Sequence, residues 1–141
     1  VLAAPDSPLA GRRDFAAVLP ARVLRHDPDG IAVLDIAGRE FLVLANGLEQ
    51  DDMVRVRIAA SDVSIARHRH DASSILNAIP ARVIGIDPIG EAEASVRLDF
   101  GISAQAPIRA RITRRSLAAL ELSQDQTVIA QIKSVSLAAN R

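Results

Sequence analysis

An internal repeat constrains the fold of this 141-residue chain more than any other feature of its sequence. Residues 19–30 (LPARVLRHDPDG) and 79–90 (IPARVIGIDPIG) are identical at seven of twelve aligned positions and exchange Leu for Ile at two more. Two further pairs of segments continue the match: residues 34–36 with 98–100, and residues 63–66 with 135–138. Tandem units of about 60–70 residues are the simplest explanation of such a repeat.

Each unit has the residue pattern of short β-strands. Residues 18–25 and 79–86 are rich in β-branched and aliphatic side chains, and each segment runs into an Asp-Pro-X-Gly turn. Residues 94–100 alternate apolar with charged side chains, which predicts a half-buried strand. Pro20 and Pro80 predict an edge or bulged position, because proline cannot donate a hydrogen bond to a sheet ladder.

The second unit also contains a helical pattern. Residues 113–120 (TRRSLAAL) predict a short helix with Thr113 as its N-cap and with Leu117 and Leu120 facing inward, whereas the first unit has only the shorter segment 45–52 there. Five strands with a helix between the third and the fourth is the order of an OB-like barrel. We therefore predict a mainly β protein of two tandem OB-like five-stranded barrels, with a linker over residues 1–14, a first unit over 15–70 and a second over 71–141.

The composition argues against several classes of binding partner for this chain. Lys plus Arg and Asp plus Glu number 17 each, so the formal net charge is zero, whereas surfaces that follow nucleic-acid phosphates are strongly basic. Aromatic residues make up 2% of the chain, too few for base-stacking platforms, and we expect no nucleic-acid partner. There is no Cys for thiolate metal sites and no apolar run of the roughly 20 residues that a membrane span needs. The sequence therefore predicts a cytoplasmic protein without a metal cofactor.

The polar residues favour binding over catalysis. No glycine-rich phosphate loop and no G-x-S-x-G motif is present, so we predict that this chain is not an enzyme. His68 and His70 could form a metal pair, but a solvated connection between the units is the favoured interpretation. Hydroxyl groups in residues 73–77, hydroxyls in the first turn of the predicted helix and one lysine near the last strand suggest an oxyanion pocket. The alternative is that these Ser and Thr residues only cap strands and helices.

Three motifs in this order and spacing resemble the molybdate-binding Mop/TOBE domain: SSILN (73–77), ARITRRS (110–116) and AQIKSVSL (130–137). The arrangement is most similar to the C-terminal region of the ATP-binding subunit of molybdate ABC transporters. In that family the modules are OB-like barrels that dimerise and hold molybdate or tungstate between subunits. The resemblance implies the oxyanion ligands Ser74, Thr113, Ser116, Lys133 and Ser134. The family normally has Arg before the Asn of the first motif, where this chain has Leu76.

The resemblance implies a regulatory, oxyanion-binding and dimerisation module. Its expected partners are a second copy that pairs through the second unit, an upstream ATPase domain and a membrane permease. The parent protein would then work at the inner face of the plasma membrane. Two alternatives stay open: a TOBE module that only dimerises or serves another transporter substrate, and an OB-type nucleic-acid binder, which the neutral charge disfavours.

Overall fold

Two five-stranded antiparallel sheets make up the computed structural model, which describes residues 16–70, 72–100 and 108–138. The predicted linker over 1–14 lies outside these residues. The strands are β1 (Ala16–His26), β2 (Ile31–Ile36), β3 (Arg39–Leu44), β4 (Met53–Ala59), β5 (Val63–Ala66), β6 (Asn77–Ile89), β7 (Glu93–Asp99), β8 (Ile108–Thr113), β9 (Thr127–Ile132) and β10 (Ser136–Leu137). A 3-10 turn covers Ala60–Asp62, and helix α1 covers Arg114–Ala119. The mainly β, OB-like prediction is confirmed.

The strand order shows that the two units exchange their last strands. The first sheet has the order β10-β4-β1-β2-β3 and the second has the order β5-β9-β6-β7-β8. β5 pairs with β9, with Ile65 opposite Ala130, and β10 pairs with β4, with Leu137 opposite Val56. In the second sheet β5 also contacts β8, so this sheet curls back on itself. Each sheet is therefore completed by a strand from the other half of the chain.

The repeat in the sequence is a repeat in backbone geometry. β1 and β6 each shift register once, between Val23 and Arg25 and between Val83 and Gly85, as a β-bulge does. The Val23 amide donates to the Asp52 carbonyl at 2.9 Å, and the Val83 amide donates to the Gln126 carbonyl at 2.9 Å. The same bulge and the same loop contact thus occur in both units.

The two prolines lie in β1 and β6, which are central in their sheets. These strands tolerate proline because each has only one paired neighbour at that position. β1 pairs with β4 over Ala16–Arg22 and with β2 only from Arg22 onward, so Pro20 has a ladder partner on one side. Pro80 pairs with Ile129 of β9 and precedes Arg82, where the pairing with β7 begins. Each proline thus lies where its strand has one neighbour, as the expected edge position requires, although β1 and β6 are central in their sheets.

One continuous core joins the two units. Its buried residues include Leu34, Phe41 and Ile58 from the first unit together with Leu98 and Ile132 from the second. The rings of Phe41 and Phe100 meet edge to face with centroids 5.8 Å apart. In the described residues no helix is long and apolar enough to cross a membrane.

Helix α1 follows β8 in the second unit, and residues 45–52 of the first unit form loop and turn instead, as predicted. The Ser116 amide donates to Thr113 Oγ1 at 3.0 Å, so Thr113 is the N-cap. Leu117 and Leu120 pack against the core, which confirms their inward orientation.

Candidate functional site

A cavity of about 250 Å³ lies where the two units meet. Ten residues line it: Ile31, Leu42, Val43, Leu44, Ser74, Leu76, Asn77, Lys133, Ser134 and Val135. Three of the five predicted ligands, Ser74, Lys133 and Ser134, are among them, and all three are exposed. The structure thus brings the SSILN segment and the Lys-Ser pair together, as parts of one pocket.

The polar side of the cavity is built by two chain segments. Ser74 lies in the connection that leads into β6, and Lys133 and Ser134 lie in the segment that crosses from β9 of the second sheet to β10 of the first. The Lys133 amide donates to the Asp62 carbonyl at 2.9 Å, which continues the β5–β9 ladder and fixes the start of the crossing segment. Among the described residues that line the cavity, Lys133 carries the only charge.

The opposite side of the cavity is aliphatic and comes from the first unit. Strand β3 carries four successive apolar residues, 41–44 (FLVL), although a half-buried strand alternates apolar with polar. Phe41 and Val43 face the core, while Leu42 and Leu44 face outward into the cavity. Leu44 is 78% exposed and Leu76 is 56% exposed, so the rim of the cavity is apolar. Sequence reasoning missed this wall, and the unbroken apolar run in β3 was the signal for it.

Asn77 is a lining residue whose side chain is already occupied. Its exposed fraction is 5%, and its amide makes two hydrogen bonds to the backbone of Leu42. The Leu42 amide donates to Asn77 Oδ1 at 2.8 Å, and Asn77 Nδ2 donates to the Leu42 carbonyl at 2.9 Å. These two bonds hold the Asn77 side chain against β3 and use one of its two N–H donors and one of its two acceptor sites.

Thr113 and Ser116 do not line this cavity. Thr113 pairs with Glu93, which in turn pairs with Ile89 at the far end of β6 from Asn77. β6 has thirteen residues, so its two ends are roughly 40 Å apart along the strand at about 3.3 Å per residue. The Thr113 hydroxyl also donates to Ser116 Oγ at 3.1 Å. One copy of the chain does not bring these two residues to Ser74 and Lys133.

The histidines form no metal site in the described residues, where no group of three or more His, Asp or Glu could hold a metal ion. His68 and His70 are exposed, and Arg69 between them donates to the Ala78 carbonyl at 3.2 Å. His26 Nε2 lies 2.7 Å from the Ala45 carbonyl, at the end of β1.

Comparison with known proteins identifies the second unit. The family model of the TOBE domain matches residues 73–139, which contain all five predicted ligands. The predicted resemblance to this domain is confirmed.

The relatives extend the likeness over nearly the whole chain. The molybdenum import ATP-binding protein ModC of Rhodopseudomonas palustris strain BisB18 is 41% identical over 139 residues, which cover 97% of this chain and 36% of the relative. ModC of strain CGA009 is 44% identical over 139 residues and has 37% of its length covered. The chain thus spans little more than a third of these relatives.

A solved structure has the same fold. The cytoplasmic molybdate-binding protein ModG, in a form with molybdate bound, matches with a TM-score of 0.71 over 87% of this chain and 95% of the ModG chain. The two sequences are 20% identical, so this likeness concerns the fold alone.

Proposed function

We propose that this chain binds a tetrahedral oxyanion of the molybdate class in the cavity at Lys133, as a regulatory module of a molybdate importer's ATP-binding subunit. The observation that carries the proposal is the convergence of Ser74, Lys133 and Ser134 from two separate segments. An ammonium with two hydroxyl donors forms charge-assisted hydrogen bonds to an oxyanion. No other lining residue in the described ranges competes for that anion with a carboxylate.

The cavity has room for such a ligand. Its volume of about 250 Å³ is several times the roughly 30 Å³ that one water occupies in the liquid, so a four-oxygen anion fits with bridging waters. The aliphatic wall at Leu42 and Leu44 borders the cavity on one side, and a second copy that covers this wall would exclude water and strengthen electrostatic interactions inside. The names of the relatives and of ModG support molybdate as the first ligand to test, and tungstate has the same shape and charge.

A second copy of the chain completes the site in this proposal. The exposed, apolar Leu44 and Leu76 at the rim leave a surface that another copy can cover. Thr113 and Ser116, which a single copy holds far from the cavity, would reach the anion from the second copy. The homodimer forms through the second unit, beside the upstream ATPase domain and the permease, on the cytoplasmic face of the membrane. Occupancy of the cavity would then report the internal oxyanion supply to the transporter.

The alternative function is a structural module that only dimerises, and the apolar rim with Leu76 in place of Arg favours it. Neither function uses a catalytic group, and the chain acts by binding in both.

Titration calorimetry with molybdate, tungstate and sulfate separates these functions. We expect binding of molybdate and tungstate, and Lys133→Ala should weaken it by about 1.5–3 kcal/mol, because one charged hydrogen bond is lost. Arg55→Ala is the matched control, since Arg55 is an exposed cation outside the cavity.

Two outcomes would contradict the proposal. Equal affinity in the wild type and in Lys133→Ala would remove Lys133 from the site. A wild type that self-associates but binds no oxyanion would refute oxyanion binding and support the module that only dimerises. Binding of an oligonucleotide that falls steeply with salt would instead support the OB-type alternative.

A further inference from the structure

The edge of the first sheet is closed by a side chain from the second unit. β3 is the last strand of its sheet, and an edge strand presents unpaired amides and carbonyls. At Leu42 both groups are taken by the Asn77 amide, at 2.8 and 2.9 Å. A primary amide offers a donor and an acceptor side by side, so it reproduces the contact that another strand would make.

Asn77 also joins the three chain segments that line the cavity: strand β3, the segment that begins at Lys133, and the SSILN segment. Its side chain holds Leu42 of the aliphatic wall, and its backbone pairs with Ile132, directly before Lys133. It lies three residues after Ser74 in the SSILN segment. With 5% of its surface exposed, the side chain has no freedom to leave this position without losing both hydrogen bonds.

From this geometry we infer that Asn77 is the positioning residue of the cavity, which docks residues 73–77 on the first sheet and sets the separation of Ser74 from Lys133. The effect of this role on anion affinity rests on the proposed oxyanion function. In this role Asn77 acts through the placement of Ser74.

The repeat separates the contact of the Asn77 side chain from the pairing of its strand. The repeat places Ala17 at the position of Asn77, and Ala17 pairs with Ile58 as Asn77 pairs with Ile132. An alanine side chain has no hydrogen-bonding group, yet the first unit forms the same strand pair. The strand pair therefore forms without an amide side chain, and Asn77 serves the side of the molecule where the cavity lies.

Residue-resolved hydrogen exchange of the whole chain tests the docking directly. In Asn77→Ala the Leu42 amide loses its acceptor, so the amides of Leu42 and Ile75 should exchange at least about tenfold faster. Asn77→Asp keeps an acceptor for the Leu42 amide but loses the donor to the Leu42 carbonyl, so Ile75 should exchange faster while Leu42 keeps part of its protection. Ser73→Asp is the control for added negative charge, since it keeps an acceptor for the Ile75 amide that Ser73 Oγ holds at 3.1 Å. It should leave the exchange of Leu42 unchanged.

Titration of the same variants with molybdate tests the effect on the site. Asn77→Ala should lower the affinity about tenfold, while Ser73→Asp should lower it less than Asn77→Asp does. Unchanged exchange at Leu42 and Ile75 in Asn77→Ala would overturn the inference, whether or not the protein binds the anion. Faster exchange with unchanged affinity, in a protein where Lys133→Ala loses affinity, would overturn the positioning role alone. If the wild type binds no oxyanion, the proposed function fails, and the exchange rates alone decide whether Asn77 docks the segment.

Discussion

Single residues give the cavity its chemical character. Lys133 supplies charge, Ser74 and Ser134 supply hydroxyls, and Leu76 supplies apolar surface where the family motif has Arg. The sequence predicted these polar residues because each belongs to a short motif. The hydrogen bonds of Asn77 to Leu42 could not be predicted, because they join residues 35 apart whose proximity depends on how the two sheets pack.

Leu76→Arg should strengthen oxyanion binding. Leu76 lies on the rim and is 56% exposed, so a guanidinium there reaches the cavity with its charge still solvated. One added charged hydrogen bond contributes about 1.5–3 kcal/mol, which is roughly a 10- to 150-fold gain in affinity by calorimetry. Leu44→Arg is the control, because it places the same charge on the opposite rim. An equal gain in affinity in both variants would show that a positive charge anywhere on the rim attracts the anion. It would contradict a specific role of position 76.

At the scale of elements, the exchange of β5 and β10 is the feature that organises the molecule. The segments that contain these strands have nearly the same sequence, VSIA over 63–66 and VSLA over 135–138. The sequence could therefore predict two closing strands but not which sheet each one joins. The exchange makes the crossing segment 133–135 a link between the sheets, and this is why the Lys-Ser pair faces the aliphatic wall of the first unit. The site therefore depends on the exchange as much as on its own motifs.

Ile65→Ala should destabilise the second sheet although Ile65 belongs to the first repeat. Ile65 is 8% exposed and lies opposite Ala130 of β9. Loss of its buried methylene and methyl groups should lower the free energy of unfolding by about 2–4 kcal/mol, measured by denaturant titration. Leu137→Ala, at the equivalent place in β10, should cost less because Leu137 is 39% exposed.

Hydrogen exchange identifies the sheet that Ile65→Ala affects. Protection should fall first in β9, the strand that β5 joins. Loss of protection in β4 with unchanged protection in β9 would mean that β5 pairs within its own unit. That result would contradict the exchange of strands between the units.

At the scale of the whole molecule, the two units form one body, and the five proposed ligands lie at two separate places on it. The shared core and the Phe41–Phe100 contact hold the two units together. The Arg39 guanidinium adds a hydrogen bond to the Phe100 carbonyl at 3.0 Å. Thr113 and Ser116 face a different end of this body from Lys133, and the sequence could not show that separation because motif order carries no information on distance along a sheet.

Anomalous scattering at the molybdenum edge, from crystals of this chain grown with molybdate, tests the central claim most directly. We predict one molybdenum peak per chain in the cavity, with molybdate oxygens about 2.7–3.0 Å from Lys133 Nζ and from the hydroxyls of Ser74 and Ser134. Thr113 of a second copy should approach the same peak. No peak in the cavity at saturating molybdate, or a peak at another surface with the cavity empty, would contradict the account.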